Sequence, residues 1–182
     1  SEMCIRDSLG EICGVFETPE FSVTECGNVR ATLRVKTHFN ASELCREYII
    51  YPDSDVVKVN VTVDFHEKHR TLKFAFPAAS DETIAKIPFG TITRKNNLGE
   101  EPCGSWIANG KLCIANDSKY AYDTLDNEIR LTVLRSAIYA DHMGERDEFC
   151  RFMEQGIHEF SYSVFPYKLS LIHISEPTRL RR

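Results

Sequence analysis

Between Val57 and Phe65 every odd-numbered residue is apolar (Val57, Val59, Val61, Val63, Phe65), and the even-numbered residues from Lys58 to His66 are polar. A period of two over this length sends one set of side chains to each face of an extended strand, which no amphipathic helix does. Val29, Ala31, Leu33 and Val35 alternate in the same way with Arg30, Thr32, Arg34 and Lys36. Leu72, Phe74 and Phe76 form a third apolar row, ended by Pro77, which has no N–H to give a central ladder. Pro52-Asp53-Ser54-Asp55 and His66-Glu67-Lys68-His69-Arg70 are the turns between these rows and a strand near 43–51. Further strands are expected near 12–17, 84–94, 111–115, 119–124, 128–135 and 157–165, and Lys95–Ser105 reads as a long surface loop. One helical turn is expected at Arg146–Gln155, where Phe149, Phe152 and Met153 share a face and Gly156 follows as a stop. The fold class is therefore all-β: an antiparallel β-sandwich (supersandwich-like), with long loops and at most one short helix.

At 182 residues the chain is long enough for one domain with a real core. A net charge of -5 and the lack of a basic cluster in the body argue against a nucleic-acid partner. No apolar run approaches the roughly 20 residues that span a bilayer, so no membrane partner is expected. The seven cysteines show no C-x-x-C spacing, and an odd count fits a secreted disulfide framework poorly. Reduced, mostly buried thiols in a cytoplasmic protein are the expectation. Asn40, Asn60 and Asn116 head N-x-S/T triplets that would accept glycans only in a secretory compartment.

Ser1–Ser8 (SEMCIRDS) and residues 169–179 (LSLIHISEPTR) resemble translations, in opposite orientations, of one DNA adapter. Segments of that kind are foreign to a fold, so the expected organisation is a scar at 1–8, a β-sandwich at 9–168 and a second scar at 169–182. Removing both ends leaves a body more acidic than the whole chain. A piece cut this way, of metagenomic type, belongs to a longer polypeptide.

Several residue groups invite a chemical reading. His66 and His69 lie three apart on strand-and-turn geometry, whereas the metalloprotease pattern needs two His at i and i+4 of a helix. A charged hairpin turn is the better account. Asp64 and Glu67 suit a glycosidase carboxylate pair only if separated by about 5–10 Å. Trp106 stacks on a sugar or plugs the base of its loop. The densest group is Asn116-Asp117-Ser118-Lys119-Tyr120-Ala121-Tyr122-Asp123, followed by a strand ending at Arg135. Aromatic rings beside carboxylates suit carbohydrate, whose apolar face stacks while its hydroxyls bind charged acceptors. Equally, Tyr120 and Tyr122 are strand residues and Lys119 pairs with a nearby aspartate. The residues alone leave both readings open.

Taken in order, Val29–Val35, Tyr48-Ile49-Ile50-Tyr51-Pro52, Val63–His69, Leu72–Pro77, Ile87-Pro88-Phe89-Gly90, Asn116–Asp123, Leu134-Arg135-Ser136 and His158–Ser163 cover nearly all of 15–166. Through them the body resembles the C-terminal β-sandwich region of glycoside hydrolase family 38, the α-mannosidases, and most closely the bacterial and cytosolic type. Ala121 stands where the family has glycine, Ala137 and Ala140 where it often has proline, and Cys150–Gly156 looks like an insertion. The resemblance implies the C-terminal portion of a retaining exo-α-mannosidase of mannose and glycan catabolism. In such an enzyme a carboxylate nucleophile and an acid/base carboxylate act in turn, and a zinc ion grips sugar hydroxyls. Nucleophile and zinc ligands belong to an N-terminal catalytic barrel that no segment here matches, so no catalytic or metal residue carries over. That barrel is the expected partner, with an α-mannoside as substrate and the oligomeric state left open. Tyr122, Asp123 and Arg135 are the candidates for a wall of the mannose pocket. The competing reading is a stand-alone carbohydrate-binding or structural β-sandwich module.

Overall fold

The computed structural model describes residues 3–6, 12–139 and 150–167. Among them there is no helix; every pairing of named strands is antiparallel, in two sheets. The larger sheet runs, in spatial order, β3 (Glu17–Cys26), β4 (Ala31–Phe39), β5 (Ser42–Ile50), β6 (Val57–Phe65), β15 (Gly156–Pro166), β12 (Leu112–Asn116), β11 (Trp106–Asn109), β8 (Glu82–Ile87) and β9 (Gly90–Lys95). The smaller runs β10 (Glu101–Pro102), β13 (Ala121–Leu125), β14 (Glu128–Arg135), β7 (Thr71–Pro77), β1 (Met3–Arg6) and β2 (Ile12–Val15).

The alternation at 57–65 does what its period requires. Val59, Val61, Val63 and Phe65 are buried in the layer between the sheets, and β6 pairs with β5 on one side and β15 on the other. The facing layer is Leu72, Phe74 and Phe76 of β7 with Ile129 and Leu131 of β14. Phe74 packs between Phe160 and Tyr162, with ring centroids 5.8 and 5.9 Å away. Burying a side chain of this kind stabilises the fold by about 1.5–3 kcal/mol. At one corner Asn109 does the work of a small strand: its Oδ1 accepts from the Ala79 and Ser80 amides, and its Nδ2 donates to the Ser80 and Glu82 carbonyls.

Several features depart from the sequence expectations, among them β3, which no expected strand covers beyond residue 17. The stretch 84–94 is a hairpin, because Pro88-Phe89 forms a two-residue turn with Phe89 at φ 66° and Ile87 opposite Gly90. The helical turn at Arg146–Gln155 falls partly on 146–149, outside the described residues; Cys150–Gln155 hold no helix, and Phe152 bridges Ile138 instead. Of the cysteines whose burial is described, Cys103 and Cys113 are buried, whereas Cys13 and Cys26 sit exposed on the outermost strands of the two sheets. Met3–Arg6, within the segment expected to be a scar, pairs with β7 and β2, with Ile5 buried. Residues 169–182 lie outside the described residues.

Candidate functional site

The outer face of the smaller sheet carries a buried charge cluster, and strand register builds it. Asp123 of β13 lies opposite Arg130 of β14, and Thr132 of β14 lies opposite Lys73 of β7, so all four project from one face. Asp123 Oδ1 accepts from Arg130 Nε at 2.5 Å, and Oδ2 accepts from Lys73 Nζ at 2.9 Å. Lys73 also donates to Thr132 Oγ1 at 2.9 Å. Glu100 reaches in from the 95–105 loop, accepting from Lys73 Nζ and from the Thr132 hydroxyl. The side chains of Lys73, Asp123 and Arg130 are only 6, 7 and 2% exposed, although they lie on the face away from the core. The loop supplies the cover. Its Asn97 amide donates to Thr124 Oγ1 at 2.8 Å, and the Thr124 amide donates back to the Asn97 carbonyl. Arg130 Nη1 is buried with no hydrogen-bond partner.

Tyr122 points the other way. Adjacent strand residues face opposite sides of a sheet, so its ring joins the inter-sheet core. Burial pushes its phenol up, and the Arg94 guanidinium pulls against that shift.

Arg135 ends β14 five residues beyond Arg130, about 16 Å along the strand. It is exposed, and with His69, Arg70 and Ser136 it lines a cleft of about 180 Å³. The floor of the cleft is tied: the His69 amide donates to the Ser136 carbonyl at 2.9 Å, and the Ser136 amide to the Arg70 carbonyl at 2.8 Å. The three sequence-chosen residues therefore occupy a buried ion cluster, a core layer and an exposed cleft.

Asn116 and Asp117 serve local structure. Asn116 Oδ1 accepts from the Ser118 and Lys119 amides, closing the turn after β12. Asp117 Oδ2 accepts from the Ser161 amide and hydroxyl, fastening that turn to β15. Lys119 Nζ sits 4.6 Å over the Phe160 ring, and burial lowers its pKa while Glu154 and Asp117 raise it. Tyr120 is exposed. Glu67 binds Asn40 and Ser42 across the neighbouring turn, and His66 pairs with Asp64 at 2.8 Å. Trp106 lies against Tyr167, ring centroids 6.4 Å apart. Among the described residues no three His, Cys, Asp or Glu side chains converge to hold a metal ion.

Lys73, Glu100, Arg130 and Thr132 were not singled out by the sequence. Alternation places Lys73, Arg130 and Thr132 on the solvent side of their strands, and nothing local announces the loop that covers them. The one signal is the pairing of Lys73 and Arg130 with Asp123 once the strand order is known. Both Asp123 oxygens are engaged by cations, so the cluster fixes loop and sheet against each other.

Residues 10–143 match the family model described as the glycosyl hydrolases family 38 C-terminal domain. The chain is 28% identical over 141 residues to alpha-mannosidase 2C1 of Mus musculus, a match covering 70% of this chain and 13% of that protein. The human protein of the same name is 26% identical over the same span. An alpha-mannosidase from Enterococcus faecalis V583 shares the fold with a TM-score of 0.74 at 15% identity, over 91% of this chain and 25% of that one. A family 38 protein from Enterococcus faecalis gives 0.73 at 16% identity, covering 91% and 26%. The chain spans about 13% of the length of the curated relatives it matches.

Proposed function

Because this chain belongs to glycoside hydrolase family 38, we propose that it is the C-terminal β-sandwich of a retaining, zinc-dependent exo-α-mannosidase acting on terminal α-mannosides in the cytoplasm. The observation that carries this reading is the family match across residues 10–143, made by a chain that spans only 13% of its mannosidase relatives. On this reading the 182 residues have no hydrolytic activity alone. The described residues do not fit a zinc ion, so none of them takes a step through the metal. Nucleophile, acid/base and zinc ligands belong to other parts of the polypeptide, and the sandwich supplies wall and support.

Within that role Arg135 faces the substrate side. It is the exposed member of the three candidates, on a cleft whose floor is tied by two backbone hydrogen bonds. A guanidinium there donates in a fixed fork to sugar hydroxyls. Asp123 is a positioning residue that holds the 95–105 loop through Lys73 and Glu100. Tyr122 supports the same strand from the core side. The test extends the gene upstream and reads its sequence, then compares Arg135→Ala with the parent enzyme. An upstream barrel with His and Asp zinc ligands, and a kcat/KM reduced about 10-fold or more, are expected for a lost charged hydrogen bond. No such barrel, or an unchanged kcat/KM, removes the corresponding half of the reading.

A further inference from the structure

The two sheets are unequal, and the mismatch is concentrated at one end. The chain crosses from β2 in the smaller sheet to β3 in the larger through buried Phe16. Beyond that point β3 is exposed along its whole length, while on the same face Val35 is buried and Leu33 and Tyr48 are half-buried. Phe21 lies opposite Val35 and Val23 opposite Leu33, so these side chains share one face with Tyr48, the residue across from Leu33 on β5. Phe21 and Val23 are 67 and 68% exposed there. Between this overhang and β2 lies an apolar groove of about 600 Å³, lined by Val15, Phe16, Phe21, Leu33, Val35 and Tyr48 among others.

The strand edges identify what fits it. Among the described residues the sheets end on β10, β2, β3 and β9. β10 carries Glu101 and Pro102, and β9 ends in Arg94-Lys95. β3 carries Pro19, three glutamates and two register shifts. Charge, proline and bulges are the devices that keep an edge from pairing with another strand. β2, Ile12-Cys13-Gly14-Val15, has neither a charge nor a proline, and its pairing with β1 shifts register once. An edge without charge or proline beside a partly open apolar face combines main-chain hydrogen-bonding groups with pockets for alternate side chains, the two requirements of strand addition.

We propose that β2 and the open face of β3 receive a strand from the longer polypeptide to which this chain corresponds, extending the smaller sheet, burying Phe21 and Val23 and completing the cover of half-buried Leu33 and Tyr48. The occupant comes from the same polypeptide because the relatives are some seven times the length matched here, the match covering 13% of each. A tethered strand also binds at a high effective concentration, which a separate partner lacks. The proposal uses the longer polypeptide of the mannosidase reading but none of its chemistry.

Hydrogen exchange tests it, comparing the 182-residue chain with the polypeptide expressed from the extended gene, whether or not that polypeptide hydrolyses mannosides. The amides of Ile12–Val15 are expected to exchange about 100-fold more slowly or better in the longer polypeptide. Phe21→Glu is expected to remove much of that protection there while leaving the Tm of the 182-residue chain unchanged, because Phe21 is exposed in it. Equal exchange in the two proteins overturns the proposal. So does protection that survives Phe21→Glu, or protection that rises with concentration in the 182-residue chain alone, which identifies a second copy as the occupant.

Discussion

Asp123 and Arg130 stand directly opposite each other across β13 and β14 and are ion-paired at 2.5 Å, both nearly closed to solvent on the sheet face that points away from the core. Lys73 shares the carboxylate. Removing one partner of such a buried pair leaves uncompensated charge and costs about 3–5 kcal/mol. Asp123→Ala is therefore expected to lower the Tm by roughly 6–20 °C. Arg135→Ala, at an exposed strand end, is expected to stay within about 0.5 kcal/mol of the parent. Urea unfolding of both variants checks the contrast. Equal, small effects would show that the cluster does not hold the loop.

Gly14 sits where β2 presses against Phe39 of β4. A Cβ at Gly14 would overlap the Phe39 ring, so the ring or the strand has to move. Gly14→Ala is expected to destabilise by about 1–3 kcal/mol, the range for overpacking. Phe39→Leu in the same molecule should recover part of the loss, since it removes the obstructing ring. Chemical denaturation of the single and double variants measures both.

Cys103 and Cys113 give a pH dependence. Burial pushes each thiol from 9.0 up to about 12. A group whose folded pKa lies above its unfolded value contributes stability that is whole below the unfolded pKa and is lost as pH rises through the folded one. The contribution of these two thiols is thus flat below about pH 9 and falls between about 9 and 12. A thiol reagent at pH 8 is expected to label exposed Cys26 quickly, and Cys103 and Cys113 only at the rate of opening. Mass spectrometry of the labelled protein distinguishes them, and fast labelling of Cys113 would contradict its burial.

The two-layer architecture was legible because burial imprints alternation: Val57–Phe65 and Leu72–Phe76 face one core, and each reads correctly from its own residues. β3 was not legible, since all ten of its residues are exposed and its apolar residues follow no buried face. The 84–94 hairpin escaped because its break needs only Pro88-Phe89. In the site, Tyr122 and Asp123 read as one group because they are neighbours in sequence, yet a pleated strand sends them to opposite faces. Lys73 and Glu100 are 27 residues apart, and only the folded loop brings them together.

Central to the proposed function is a division of labour in which this sandwich supports a mannosidase site without supplying its chemistry. Release of nitrophenol from a nitrophenyl α-mannoside, measured for the 182-residue chain beside the polypeptide from the upstream-extended gene, tests that division. Turnover by the longer polypeptide and none by the shorter is the expected result; hydrolysis by the 182-residue chain itself, or inactivity of a folded longer polypeptide, would contradict it.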